Sequence, residues 1–203
     1  ESPNFTPEIS DSNPNPVAVP LKVYVPYDLT DPTRTITPGL LITSGESGDA
    51  QVGTAGDDEY RGNGGNDSFD AGAGNDSLDA GTGNDTIIAG TGNDTVWGGT
   101  GNDVIYGGTA SSPDASGSGD DVIDAGDGND LVYAGDGNDS VTGGAGSDTV
   151  YSGVGDDTVN SGDGNDVVYA GDGNDVVIAD PGDDTVSAGA GNDSIDAGIG
   201  NDV

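Results

Sequence analysis

An aspartate recurs every nine residues through most of this chain, with one gap of eighteen. If each nine-residue unit is numbered so that this aspartate takes slot six, sixteen units carry it: Asp58, Asp67, Asp76, Asp85, Asp94, Asp103, Asp121, Asp130, Asp139, Asp148, Asp157, Asp166, Asp175, Asp184, Asp193 and Asp202. Carboxylate oxygens are the ligands that hard divalent cations prefer. The spacing therefore points to repeated cation sites, provided that the fold brings these aspartates together.

The residues around the aspartate predict a tight turn followed by a short strand. Slot four is glycine in all sixteen units, and slot two is glycine in thirteen, the exceptions being Thr54, Asn63 and Asp180. Glycine permits positive φ and close backbone approach, so we expect slots one to six to form the turn. Slots seven to nine, as in Thr86-Ile87-Ile88, have an apolar or aromatic middle residue and predict a three-residue strand.

Two such units make an 18-residue coil with a strand on each side. A three-residue strand with one buried side chain is not stable alone, so the coils must stack into two parallel sheets that pack slot eight between them. Stacking brings slot-six carboxylates 18 residues apart to about one strand spacing, roughly 4.8 Å. Such a column of like charges is strongly unfavourable unless a cation lies between each pair.

Calcium suits these turns better than magnesium. Calcium accepts six to eight oxygens in loose geometry, and the glycine-rich turn offers backbone carbonyls beside the carboxylates, whereas magnesium requires a tight octahedron and keeps its waters. Two files of eight aspartates have seven gaps each, which predicts about fourteen ions. Fourteen divalent ions would change the formal net charge from −35 to −7.

Composition excludes several other classes of function. The chain has 38 acidic residues against three basic ones, Lys22, Arg34 and Arg61, which argues against nucleic acid as a partner. It has no His and no Cys, which removes histidine acid–base chemistry, thiol nucleophiles, disulfides and the usual zinc ligands. The sequence contains no run of 18 apolar residues, so it predicts no transmembrane helix. EF-hand loops fit poorly because they end in glutamate, and the four glutamates occupy no repeated position.

Residues 53–203 resemble the RTX family, also called haemolysin-type calcium-binding repeats. The family pattern is G-G-x-G-x-D-x-U-x with U apolar, and the unit from Gly98 to Tyr106 fits every slot. The resemblance implies an all-β fold: a right-handed parallel β-roll, which is a β-helix-like solenoid, with two short-stranded parallel sheets and calcium in the turns. Turns that lack glycine at slot two, at Thr54, Asn63 and Asp180, are expected to bind calcium less well.

The resemblance also implies which backbone carbonyls accompany the aspartates. One turn would give its slot-six Asp and the carbonyls of slots two and four, and the next turn would give its Asp and the carbonyls of slots one and three. Asp76, Gly72 and Gly74 would then face Asp94 and the carbonyls of Ala89 and Thr91. The candidate slot-four ligands are Gly56, Gly65, Gly74, Gly83, Gly92, Gly101, Gly119, Gly128, Gly137, Gly146, Gly155, Gly164, Gly173, Gly182, Gly191 and Gly200. The candidate slot-two glycine ligands are Gly72, Gly81, Gly90, Gly99, Gly108, Gly126, Gly135, Gly144, Gly153, Gly162, Gly171, Gly189 and Gly198.

Two segments fall outside the repeat. Residues 1–44 hold eight of the ten prolines and are interpreted as a linker or an N-terminal cap segment, with the β-roll at 45–203. Residues 110–118 equal one unit in length, so they could be a decayed half-coil or a loop inserted into one turn. A half-coil would place Asp114 in the core slot, and burying an unpaired carboxylate is costly, so a surface loop is favoured.

The loop interpretation predicts how side chains are sorted on the outer faces. It places the slot-nine residues of one face in a row, at Ile88, Tyr106, Tyr133, Tyr151 and Tyr169. Tyr106 and Tyr133 must then be neighbours, whereas a half-coil would put them on opposite sheets. A tyrosine row of this kind indicates either a stacked column that stabilises the sheet or an exposed docking stripe.

The sequence therefore predicts a non-enzymatic, calcium-responsive structural module. The resemblance implies a secreted protein, extracellular or at the cell surface, exported by type I secretion, in which the roll assists secretion or acts as a spacer or adhesin stalk for other domains of a longer chain. Calcium is the expected cofactor, and without it disorder is the favoured state. The alternative is an outer-face binding surface, for partner docking or for ice. No H-E-x-x-H or G-x-S-x-G motif indicates an enzyme.

Overall fold

A computed structural model of the chain describes residue 39 and residues 41–109 and 119–203. These residues form strands and turns without any helix, so none of them belongs to a helix that could span a membrane. Most of the expected linker at 1–44 and all of residues 110–118 lie outside the described residues.

Seventeen short strands alternate between two sheets. In chain order they are β1 Leu41–Thr43, β2 Ala50–Val52, β3 Glu59–Arg61, β4 Ser68–Asp70, β5 Ser77–Thr82, β6 Thr86–Ile88, β7 Thr95–Thr100, β8 Val104–Tyr106, β9 Val122–Asp127, β10 Leu131–Asp136, β11 Ser140–Ala145, β12 Thr149–Val154, β13 Thr158–Asp163, β14 Val167–Asp172, β15 Val176–Ile178, β16 Thr185–Ser187 and β17 Ser194–Asp196. The odd-numbered strands form a nine-stranded sheet and the even-numbered strands an eight-stranded sheet. Every pairing is parallel, as in β5 with β7, where Leu78 lies opposite Val96. The predicted parallel β-roll is confirmed.

The core between the sheets is built from the apolar residue of slot eight. Tyr60, Phe69, Leu78, Ile87 and the corresponding residues onward to Val177 are at most 1 % exposed. Tyr60 and Phe69 belong to different sheets, and their rings stack at a centroid distance of 4.1 Å. Because each strand contributes one large side chain, the apolar core is a single file of residues along the axis of the roll.

Some strands are longer than the repeat pattern predicts. Eight of them run for six residues, as β5 does from Ser77 to Thr82, so they continue through slots one to three of the next unit. The expectation that slots one to six all belong to the turn is therefore wrong after these eight strands, whereas the other nine strands have the predicted three residues. Ala80 and Ser152 are fully buried at slot one of the longer strands. A small slot one, which is always Gly, Ala or Ser, is compatible with this extension but does not distinguish these units, because Ala71 and Ala89 are equally buried after three-residue strands.

The register changes once, across residues 110–118. Residues paired between coils are 18 apart elsewhere, but Thr95 pairs with Val122 and Val104 pairs with Leu131, which are 27 apart. Gly107 and Asp121 lie on either side of these nine residues, yet a Cβ added at Gly107 would lie 2.6 Å from the Asp121 carboxylate. Gly98 has the same relation to Asp103 within an uninterrupted unit, at 2.8 Å. Slots one and six therefore meet in one turn although nine extra residues separate them.

One outer face carries a continuous stack of four tyrosines. Tyr106 pairs with Tyr133, as the sequence predicts, followed by Tyr151 and Tyr169. Successive ring centroids are 5.2, 4.9 and 4.7 Å apart, and the rings are within 12° of parallel. The opposite face carries Asp79, Trp97 and Asp124 in register. The four tyrosines therefore stack on one another face to face.

Tyr133 tests how much this stack stabilises the roll. Tyr133→Ala removes two ring contacts, so we expect the free energy of unfolding in saturating calcium to fall by about 1–3 kcal/mol. Tyr133→Phe keeps both contacts and is expected to stay within about 0.5 kcal/mol of the parent chain. Urea titration followed by circular dichroism gives both values. Equal stability of the two variants would show that the stack contributes nothing.

Candidate metal centre

The slot-six aspartates come together in two files along the edges of the roll. Fourteen of them donate their backbone N–H to Oδ1 of the slot-six aspartate in the next coil, as from Asp58 to Asp76 at 2.7 Å and from Asp130 to Asp148 at 2.8 Å. The contact continues across the register change, where Asp94 N donates to Asp121 Oδ1 at 2.8 Å. The predicted stacking of all sixteen residues is thus present, and it extends to Asp49, which donates to Asp67 Oδ1 at 2.7 Å.

In twelve of these aspartates the second carboxylate oxygen, Oδ2, is buried and has no hydrogen-bond partner. The slot-six aspartates from Asp58 to Asp184 are at most 4 % exposed. Unpartnered Oδ2 atoms occur at Asp67, Asp76, Asp85, Asp94, Asp103, Asp130, Asp139, Asp148, Asp157, Asp166, Asp175 and Asp184. An unsatisfied buried polar atom is costly, and an unsatisfied buried charge is more so. Twelve such atoms in two files therefore require positive charges close to them at regular intervals along the roll.

The same burial makes these carboxyl groups difficult to ionise. Loss of hydration raises the pKa of Asp121 to about 8 and the pKa of Asp76 and Asp130 to about 7. The backbone hydrogen bond from the preceding coil opposes this rise in each pKa, and the negative charges of neighbouring aspartates add to it. A cation beside the carboxylate acts in the opposite direction, because it favours the ionised form.

No cationic side chain of the described residues supplies this positive charge. Arg61 is their only basic residue, and its guanidinium is paired with Glu59 at 2.8 Å on the outer surface. Within the same residues, no three acidic side chains converge on one point. Carboxylates alone therefore do not form a cage, and a bound cation would need oxygen atoms from the backbone as well.

Backbone carbonyls lie close to the carboxylate files because slots two and four are glycine. A Cβ added at Gly83 would lie 1.8 Å from the carbonyl oxygen of Gly65, and one added at Gly146 would lie 1.5 Å from that of Gly128. The slot-four carbonyl of one coil thus occupies the space that a side chain would need in the next. Slot two shows the same arrangement, since a Cβ at Gly90 would lie 2.1 Å from Gly72 O.

A second ladder, at slot five, runs beside the carboxylate files and was not predicted. Here the backbone N–H of a later coil donates to the side-chain oxygen of the earlier one, as from Asn84 to Asn66 at 3.0 Å and from Asn102 to Asn84 at 2.9 Å. These residues are exposed, and most are asparagine. The amide provides the acceptor without a further charge next to the slot-six column. The preference for asparagine at slot five is the sequence signal from which this ladder could have been predicted.

The residues present fit a calcium ion in the gaps between coils where carboxylate oxygens have no partner. Calcium requires several oxygen ligands at short range, including carboxylates and backbone carbonyls, and tolerates irregular geometry. The gaps offer carboxylate oxygens that have no hydrogen-bond partner, together with stacked glycine carbonyls. The available ligand atoms are thus oxygens, which hard cations prefer. The arrangement defines a class of protein: a parallel β-roll whose turns bind a hard divalent cation.

Comparison with known families identifies this class more closely. The RTX calcium-binding nonapeptide repeat, in its four-copy form, matches residues 52–87, 79–110, 116–150, 133–168, 142–177, 151–186 and 169–203. These matches cover most of the chain, and the protein therefore belongs to the RTX calcium-binding repeat family. A search of curated proteins finds no significant match to the chain. Calcium binding by a repeat module is thus established at the level of the family.

Gly146 tests whether slot four must lack a side chain. Gly146→Ala would place a Cβ 1.5 Å from Gly128 O at a residue with φ of 142°. We expect a loss of about 3 kcal/mol or more in the free energy of unfolding in calcium, because the coils must separate or strain. Gly45→Ala is the matched control, since a Cβ there meets nothing within 4 Å. A Gly146→Ala chain as stable as the Gly45→Ala chain would contradict this role of slot four.

Proposed function

We propose that the chain folds when calcium ions bind between successive slot-six aspartates of each file. Each ion would take carboxylate oxygens from two coils, the slot-two and slot-four carbonyls of one turn, and the slot-one and slot-three carbonyls of the next. In the middle of one file, Asp130 and Asp148 would hold an ion with the carbonyls of Gly126 and Gly128. The observation that carries this proposal is the set of twelve buried Oδ2 atoms without a partner.

The proposed module is structural rather than catalytic. Its ions neutralise a chain whose formal net charge is −35, and about fourteen ions would leave it near −7. Binding free energy at sites that do not exist in the unfolded chain is folding free energy, so calcium controls whether the roll forms. The weak affinity of extracellular calcium modules, in the range of about 10⁻⁴–10⁻³ M, suits a chain that folds after export. We place it outside the cell, as a folding aid, spacer or adhesin stalk for attached domains.

The proposed domain organisation follows the register. Residues 1–44 are a linker that ends in an N-terminal cap, because β1 adds a strand to the edge of the nine-stranded sheet. Residues 110–118 are a loop inserted between slots three and four of one turn. The direct pairing of β8 with β10, at a spacing of 27 residues instead of 18, supports this proposal.

The structure gives no support to ice binding. Slot-three residues on the nine-stranded sheet follow the order Gly64, Thr82, Thr100, Asp127 and Ala145. Two threonines side by side are too few for a file that could order water. The tyrosine stack is better explained as stabilisation of the sheet than as a docking stripe, because the ring faces are already in contact with one another.

Calcium dependence of folding tests the proposal. In chelator we expect a mostly unfolded chain, because the unpartnered carboxylates repel one another, and at about millimolar calcium we expect a β-rich spectrum. Far-ultraviolet circular dichroism during a calcium titration measures the change, with magnesium at the same concentration as the control ion. A chain that is equally folded in chelator and in calcium would refute the proposal.

Asp148 tests the role of a single carboxylate. Asp148→Asn keeps an acceptor for the hydrogen bond from Asp130 N, which is 2.8 Å long, but removes the charge shared by two gaps. Because coils contact mainly their neighbours, we expect one or two fewer bound ions and a less cooperative titration. Asp124→Asn, an identical change at an exposed slot-nine residue of the outer face, should leave both unchanged. Native mass spectrometry counts the ions, and full occupancy of Asp148→Asn at unchanged affinity would contradict this role.

A further inference from the structure

One turn of the roll satisfies its buried carboxylate without any ion. In the turn of Asp58, the backbone N–H of Thr54 donates to Asp58 Oδ2 at 2.7 Å. The hydroxyl oxygen of Thr54 lies 3.1 Å from Oδ1 and 3.2 Å from Oδ2 of the same carboxylate. Asp58 is only 3 % exposed, so these contacts are made in the interior.

The position of the Thr54 hydroxyl coincides with that expected of an ion. Besides the two carboxylate oxygens, the hydroxyl oxygen lies 3.4 Å from the carbonyl oxygen of Gly56 and accepts the N–H of Gly56 at 3.2 Å. The Asp58 carboxylate and the Gly56 carbonyl are ligands that this turn would offer to calcium under the proposed function. The hydroxyl group therefore stands at the point where these oxygens converge.

The other two turns that lack glycine at slot two do not behave in this way. Asn63 and Asp180 adopt left-handed φ values of 65° and 62°, the sign found at most slot-two glycines. Oδ2 of Asp67 and of Asp184, the slot-six residues of those turns, has no partner. Asparagine and aspartate tolerate this backbone region, whereas a β-branched residue does not. Thr54 is not among the residues with positive φ, and its N–H faces the carboxylate instead.

We propose that Thr54 closes the first calcium gap of its file, between Asp58 and Asp76. Its hydroxyl and backbone N–H bind the Asp58 carboxylate in place of an ion, so the carboxylate of this turn has its partners without calcium. The inference rests on the proposed function, because it assumes that the other gaps of the file bind calcium. A turn formed in advance at this end offers the following coils a template on which to stack as ions arrive. The adjacent turn shows a related contact, since Gly45 N donates to Asp49 Oδ2 at 3.2 Å.

The number of bound ions tests the role of Thr54. Thr54→Gly restores the residue found at slot two elsewhere, and we expect native mass spectrometry at saturating calcium to show one more ion than in the parent chain. Thr142→Gly, the same substitution at an exposed residue of an outer face, is the matched control, and its ion count should equal that of the parent chain. Circular dichroism confirms that each variant is folded in calcium.

The possible outcomes separate this inference from the proposed function. An unchanged ion count in Thr54→Gly would overturn the inference that Thr54 keeps calcium out of this gap. A lower ion count would also overturn it, because it would show that Thr54 is itself a calcium ligand. If Thr54→Gly does not fold, Thr54→Ala provides the same comparison, because it removes the hydroxyl and keeps a side chain; a gain of one ion supports the inference and no gain overturns it. A parent chain that binds no calcium would contradict the proposed function itself.

Discussion

Repulsion within the buried carboxylate files is the constraint on which the rest of the structure depends. Neighbouring slot-six charges at about one strand spacing repel by roughly 3 kcal/mol per pair at an effective dielectric constant of about 20. A cation between the carboxylates would offset this repulsion, and the surrounding residues either supply it with oxygen ligands or add little charge of their own. Glycine at slot four lets carbonyl oxygens approach the gap, as Gly128 O does beneath Gly146. The mostly neutral residues at slot five carry a hydrogen-bonded ladder that adds little charge beside the files.

Shape and stability have separate sources in this fold. The apolar file from Tyr60 to Val177, the tyrosine stack and the parallel backbone pairing specify where each coil lies on the next. They do not neutralise the edges, where twelve carboxylate oxygens remain without a partner. Because the fold is a stack in which each coil contacts mainly its neighbours, charge neutralisation has to be repeated along each file, and one strong site would not suffice. Under the proposed function, this is why a metal-dependent module of this kind needs many weak sites.

The sequence predicts the features that repeat with a fixed period. The spacing of Asp76 and Asp94, the apolar character of slot eight and the pairing of Tyr106 with Tyr133 all follow from position in the unit, because stacking makes equivalent residues neighbours. It does not predict the six-residue strands, since a run such as Ala80-Gly81-Thr82 has low β-propensity and the same kind of sequence follows strands that end after three residues. The contact of Thr54 with Asp58 was also missed: substitution of a slot-two glycine suggested a weaker site, but only coordinates show a hydroxyl at the convergence point.

The central claim is that calcium occupies the gaps between coils along both edges of the roll. Anomalous scattering from crystals grown in calcium, recorded at a long wavelength where calcium contributes strongly, tests it most directly. The account predicts two rows of anomalous peaks, spaced by about 4.8 Å, each lying between slot-six carboxylates of successive coils such as Asp130 and Asp148. Crystals of the folded roll that show no peaks in these gaps, or peaks confined to the outer faces, would contradict it.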